Sequence, residues 1–387
     1  MRYNKKAPDN LNQQVKEKIR KAIIFLFSVA FVFSFLFTEK SFAKKTAHNG
    51  LVDSTDCEVR GVWIDEISSS EQAATIVNNI RAANLNTVFV VSPPIGPNDG
   101  WSSKKQFSNF VRLAYQRGLN VQIWVPNMYR QKNGVQSDFR NKKERKAQKK
   151  WVLNLLKKYK RYVRGIHFDY IRYHDWENVN TGQKMDAVNQ IVREMTSAVR
   201  KKYKNMFVTS TTVSATPTWA DFSTEGIPQW FRNWYDAHPG NVYATSYSFP
   251  TVPNHMKYQQ DPVGWIRESN LDAVMPMQYT TSDTDWNQEA DSWKSFLSYV
   301  GKEPSRILMG IGWLEEEGHP EWGYDAAGVA QKIAYGRSLG YKGFVIYELN
   351  GGAHDQKLVN VLMIDSSENG FDAPFENPAA TCFQQQN

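Results

Sequence analysis

The chain has 387 residues, 41% of them hydrophobic and 22% charged, with a formal net charge of +8. This composition excludes collagen, a coiled coil and a wholly disordered polymer, and it suits either two or three ordinary domains or one barrel of about 250 residues enlarged by insertions. Much of the basicity is local: residues 1–43 hold eight Lys/Arg and three Asp/Glu, and without them the formal net charge is +3.

From the N-terminus, Lys16, Lys18, Arg20 and Lys21 precede an apolar run from Ala22 to Phe37. A basic segment followed by an apolar one shorter than the roughly 20 residues of a membrane span reads as a signal peptide. Ser41 and Ala43 place small residues before a cleavage point that ends the leader at residue 43. The rival is an uncleaved N-terminal anchor, which would be the only membrane contact. Either leader implies export, to the periplasm or the outside, where nucleic acid is not an expected partner. Residues 44–56 form a polar linker.

Short apolar runs then alternate with amphipathic segments. The runs are Val59 to Asp65, Asn86 to Ser92, Asn120 to Pro126, Gly165 to Tyr173, Phe207 to Ala215, Asp272 to Thr280, Arg306 to Leu314 and Lys342 to Asn350. Polar residues or glycine bound them, as strands buried on both faces require. Between them lie helical patterns, several ending at Gly or Asn, as at Asn84, Gly118 and Gly340. Eight β-then-α repeats predict a single-domain (β/α)₈ TIM barrel over residues 57–365, closed rather than doubly wound, because no GxGxxG follows an early strand. The segment 216–270 is an insertion too long for a bare loop, with a helix expected around residues 228–237 and a lid around 243–258. Residues 366–387 read as an irregular tail. Cys57 and Cys382 flank the barrel, whose closure brings its ends together, and in an oxidising compartment they are expected to form a disulfide. Arg140 to Arg164 holds twelve Lys/Arg against Glu144 alone. That stretch reads as a solvated outer helix with Trp151, Leu155 and Tyr159 inward, and alternatively as a footprint for an acidic polymer or lipid headgroups.

In such a barrel the active site lies at the C-terminal ends of the strands. Strand four supplies His167, Asp169, Arg172 and Tyr173; strand one Trp63 and Asp65; strand three Asn127. Strand six supplies Gln278 and Tyr279, strand seven Trp313 and Glu315, and strand eight Tyr347 and Glu348. An ionised carboxylate inside an apolar strand is costly unless paired, so Asp169 is either bridged to Arg172 or catalytic. Glycosidic cleavage needs one charged and one protonated carboxyl group. Asp169 is the charged candidate, and Glu348 or Glu315 the acid. Asp65 ranks behind them, because its alternative role is to fix the first strand through Arg60 or a neighbouring helix. Trp63, Trp124 and Trp313 near strand ends, with Trp101, Trp176, Trp219, Trp286 and Trp322 in expected top-face loops, suit stacking on sugars. No HExxH, GxSxG or P-loop is present, and no cofactor is expected. A metal-dependent deacetylase built on His167 with Asp169 and His174 with Asp175 is a minor alternative. A glycan-binding barrel without catalysis is a stronger one, because the fifth strand offers no carboxylate.

The motifs RGVWID (Arg60 to Asp65), GIHFDYIRY (Gly165 to Tyr173) and GWIRESNLDAV with MPMQY (Gly264 to Tyr279) resemble those of the family-10-like glycosyl hydrolases, barrels of exported bacterial proteins. The resemblance spans most of Cys57 to Met363 and departs at His174, where the family commonly has proline. It implies a catalytic carboxylate at Asp169 and does not name the acid. The expected activity is hydrolysis of an exopolysaccharide or cell-envelope glycan, with retention of configuration.

Overall fold

The eight apolar runs form eight parallel strands. The computed structural model describes residues 58–93, 103–126, 137–173, 181–213, 258–268, 271–279, 283–299, 301–313, 325–351 and 355–363. The strands are β1 (Val59–Ile64), β2 (Thr87–Val91), β3 (Asn120–Pro126), β4 (Gly165–Asp169), β5 (Phe207–Val213), β6 (Ala273–Gln278), β7 (Met309–Gly312) and β8 (Gly343–Tyr347). Each pairs with the next, and β8 returns to β1 from Val59 opposite Gly343 to Val62 opposite Ile346, so the sheet closes as expected.

Outside the sheet lie α1 (Ser70–Ala82), α2 (Lys104–Gln116), α3 (Lys142–Tyr159), α4 (Thr181–Lys202), α5 (Pro262–Arg267), α6 (Asp283–Tyr299), α7 (Ala326–Ser338) and α8 (Asp355–Met363). Their ends are set by local chemistry. Ser69 and Asn141 accept from backbone N–H groups in the first turns of α1 and α3, and Ser103 forms a capping box with Gln106 before α2. Past the ends of α1, α2 and α7, Asn84, Gly118 and Gly340 take φ of 55°, 81° and 89°, the left-handed geometry that stops a helix.

Alternation along the strands divides the core in two. One set, with Val62, Ile64, Val88, Val90, Val274, Ile311 and Ile346, packs against the helices. The other, with Trp63, Phe89, Trp124, Met275 and Val345, fills the barrel itself. Near the base a polar chain joins β3 to β2: Gln122 donates to Asn120 at 3.1 Å, and Asn120 to Thr87 at 3.2 Å. Gly165 is required beside it, because a Cβ there would run into the Gln122 side chain and the Phe207 carbonyl.

Two local expectations are corrected. Arg60 does not engage Asp65: it pairs with Glu58 at 2.9 Å, and Glu58 also receives two bonds from Arg337 of α7, at 2.7 and 2.6 Å. The inward face of α3 carries Arg145, Gln148, Val152, Leu156 and Tyr159, about one residue rotated from the Trp151 and Leu155 stripe, which stays half-exposed. The insertion contributes α5, capped by Asp261 through Gly264 N–H at 3.0 Å, whereas its expected helix and lid lie outside the described residues, as do the leader, Cys57, Cys382 and the tail. The Arg60–Glu58–Arg337 bridge joins the first strand to the penultimate helix. Glu58→Gln should therefore lower unfolding stability by about 1 kcal/mol, read from urea denaturation, a small effect because the group is partly solvated.

Candidate active site

Strand β4 stops at Asp169 because Tyr170 takes φ 52°, a left-handed conformation that a non-glycine residue adopts only when its surroundings hold it there. The turn brings the Tyr170 N–H back to donate to Asp169 Oδ1 at 2.6 Å. Trp124 Nε1 of β3 donates to Asp169 Oδ2 at 2.9 Å, and Thr211 Oγ1 of β5 donates to Oδ1. The carboxylate is 4% exposed and is fixed by three donors from three neighbouring segments. Arg172, the partner weighed for it, is not paired with it: its guanidinium lies over the rings of Tyr170 and Tyr258, 4.8 and 5.4 Å from their centroids.

Below this level His167 is fully buried. Its Nε2 accepts from Trp63 Nε1 at 3.2 Å, which leaves the proton on Nδ1 to be donated to Thr209 Oγ1 at 2.9 Å. Burial pushes its pKa down to about 3, so the ring is neutral. A neutral imidazole with both nitrogens engaged has no lone pair to offer a metal, which removes His167 from the donor set that the deacetylase alternative requires. His174 and Asp175 lie outside the described residues, and among those described no group of three His, Cys, Asp or Glu is arranged to hold a metal.

Above the Trp63 ring, Tyr279 and Tyr347 stack with centroids 5.4 Å apart, and Trp63 presents itself edgewise to both at 6.5 and 6.2 Å. Burial, first of all, raises both phenols well above their ordinary range. The charges of Glu348, Asp65 and Asp169 add to the effect at Tyr347, and those of Asp169 and Glu348 at Tyr279. One tyrosine pair thus lies within electrostatic reach of the carboxylates of β1, β4 and β8. Beside it, between the β1 and β8 connections, a cleft of about 530 Å³ is lined by Asp65, Glu66, Ser68, Glu348 and Asn350. Gln72 braces that wall by donating to the Asn350 carbonyl at 2.7 Å. Gln260, at the start of the α5 connection, accepts from Val213 N at 2.9 Å and donates to the Ile171 carbonyl at 3.1 Å, which ties the β4 turn to the end of β5.

The structure therefore brings together Trp63, Asp65, His167, Asp169, Tyr279, Tyr347 and Glu348. It places Tyr173 elsewhere: its hydroxyl donates to Asp138 at 2.8 Å and fixes the connection before α3. Trp313 packs in the layer between sheet and helices, and Gln278 shares the strand parity of Val274 on that same outer side. Trp286 belongs to α6 and is fully buried, so it is no platform for a sugar. Asn127, Glu315, Trp101, Trp176, Trp219 and Trp322 lie outside the described residues. Thr211 and Tyr170 were not singled out from the sequence. The signal for Thr211 was its inward parity with Thr209 on a strand next to β4.

No protein-family model matches the chain, nor does any curated protein. Among solved structures it is similar to the PgaB (BpsB) glycoside hydrolase domain from Bordetella bronchiseptica, at 11% identity over 79% of this chain and 98% of that one, with a TM-score of 0.52. It is also similar to the spore cortex-lytic enzyme SleL of Bacillus cereus, at 13% identity over 79% of this chain and 74% of that one, with a TM-score of 0.50. At such identities the likeness establishes the barrel.

Proposed function

We propose that the chain is an exported glycoside hydrolase of an exopolysaccharide or cell-envelope glycan, related to the family-10-like hydrolases by its β1, β4 and β6 motifs. The observation that carries this is Asp169: a buried carboxylate at the mouth of the barrel, held by Trp124, Thr211 and the Tyr170 N–H. A charge so placed has no structural counter-ion in Arg172 and suits stabilisation of the positive charge that develops on a sugar as its glycosidic bond breaks. The two barrels it resembles are a glycoside hydrolase domain and a cortex-lytic enzyme, which fits this chemistry.

Glu348 is the acid in this reading. It lines the open cleft beside Tyr347 and is able to give its proton to the departing oxygen, while Asp169 faces the anomeric carbon as nucleophile or charge stabiliser. The lack of a carboxylate on β5, which favoured a binding-only barrel, has another explanation, since Thr209 and Thr211 serve His167 and Asp169.

The deciding experiment is incubation of the full chain with exopolysaccharide and envelope glycans while new reducing ends are counted. Retardation of a polymer without shortening would mean binding alone. Glu348→Gln should slow hydrolysis of the natural polymer by about 10²–10⁴-fold, the usual worth of a general acid, yet spare aryl glycosides whose leaving group needs no proton. If Glu315→Gln shows that split and Glu348→Gln does not, the acid has been misassigned.

A further inference from the structure

The face opposite the mouth carries a constellation that catalysis does not use. In a parallel barrel all strands start on one face, and the pairing of β3 with β4 and of β4 with β5 makes the turns after α2, α3 and α4 neighbours there. The sequence places no Asp or Glu in residues 104–120, 150–164 or 196–206, which lead into those turns. Arg117, Lys158, Lys160, Arg161, Lys202 and Lys204 are exposed on them, and none of the six forms a salt bridge among the described residues. Helix dipoles favour a cation in each last turn, but Arg161 and Lys204 lie past the helix ends, and an ordinary solvated surface intersperses both signs.

Aromatic rings stand among these cations. Arg112 and Arg161 lie over Tyr162 at 5.9 and 5.8 Å, Arg164 over Tyr115 at 5.7 Å, and the two tyrosines meet edge to face at 5.6 Å. Half-buried tyrosines among Lys and Arg suit the headgroup region of a bilayer, where amphipathic rings and cations both reside. The start of β1 lies on this face too. The apolar run that ends at Phe37 is separated from Glu58 only by residues 38–57.

We propose that this rim, formed by the ends of α2, α3 and α4, docks on an anionic lipid bilayer and turns the catalytic mouth away from it. The orientation follows from barrel geometry alone: strand starts toward lipid, strand ends toward the glycan.

The test uses the full chain and its partition onto vesicles of mixed phosphatidylcholine and phosphatidylglycerol, relative to phosphatidylcholine alone. The apolar run contributes to both, and the ratio isolates the charge effect. At roughly 1 kcal/mol for each Lys or Arg near an anionic surface, Lys158→Gln with Lys160→Gln and Arg161→Gln should lower that ratio by about 150-fold, and Lys202→Gln with Lys204→Gln by about 30-fold. Melting followed by circular dichroism checks that both variants fold, and the double variant carries the test should the triple one melt early. Unchanged ratios overturn the proposal. So does a parent chain that binds soluble polyphosphate or single-stranded nucleic acid at the same ionic strength but shows no preference for anionic vesicles.

Discussion

Asp169→Asn should lower turnover of the cognate glycan by about 10³-fold or more with little change in KM, because the lost charge acts on the transition state rather than on the bound ground state. The substitution is nearly isosteric but inverts one hydrogen bond. Oδ1 can still accept from Tyr170 N–H and Thr211, whereas the new amide N–H₂ would face the Trp124 indole N–H across 2.9 Å, donor against donor. A buried donor left unsatisfied costs about 1–3 kcal/mol, so some stability will be lost with the activity. Trp124→Phe, combined with Asp169→Asn, removes the opposing donor and separates the two effects. If Asp169 is catalytic, the double variant recovers stability and stays inactive. Recovery of activity together with stability would make the carboxylate a structural group. Thr211→Val offers a graded check: one donor fewer should cost about tenfold in kcat while the negative charge remains.

How far the sequence showed this site depends on strand parity. The eight strands were legible because a parallel sheet covered on both faces leaves short apolar runs between punctuating glycines and polar residues, as in the RGVWI and NVQIWVP segments. Asp169 stood out as a carboxylate within such a run. Tyr173 misled for a definite reason: four residues beyond Asp169, it shares the inward parity only if the strand continues, and the left-handed turn at Tyr170 breaks the count. No residue in HFDYIRY announces that turn, since glycine, which marks such geometry, is absent. Thr211 was hidden because threonine in a strand is ordinary β-propensity until its neighbour is known to be a carboxylate. Trp313 was readable in principle: in MGIG the glycines share the inward parity, and Gly310 lies close to the Trp63 ring, so Trp313 falls on the opposite side with Ile311. Trp286 was assigned to a loop because a helix beginning at Asp283 has little apolar pattern before it reaches Trp293 and Leu297.

Stability should fall steeply on acidification, with His167 as a principal cause. In the unfolded chain an imidazole titrates near 6.5. In the folded protein burial holds it down to about 3, since neither Trp63 nor Thr209 compensates a charge on the ring. Between those two values the unfolded state binds a proton that the folded state refuses, so the His167 contribution is fully present above pH 6.5 and is lost progressively as pH falls toward 3, with a slope approaching 1.4 kcal/mol per pH unit. By pH 4.5 the loss from this one residue is on the order of 2.5 kcal/mol. Titrating carboxylates add their own slopes, so the informative quantity is a difference. His167→Gln keeps an acceptor for the Trp63 N–H but has no ionisable group, and it should be less stable than the parent at pH 7 yet lose stability more slowly on acidification. Urea denaturation of both proteins from pH 7 to 4.5 checks this: the two curves should converge by about one proton's worth of slope. Parallel curves would mean that the imidazole is protonated in the folded state, which would put a positive charge one layer beneath Asp169 and require a different account of how that carboxylate is held.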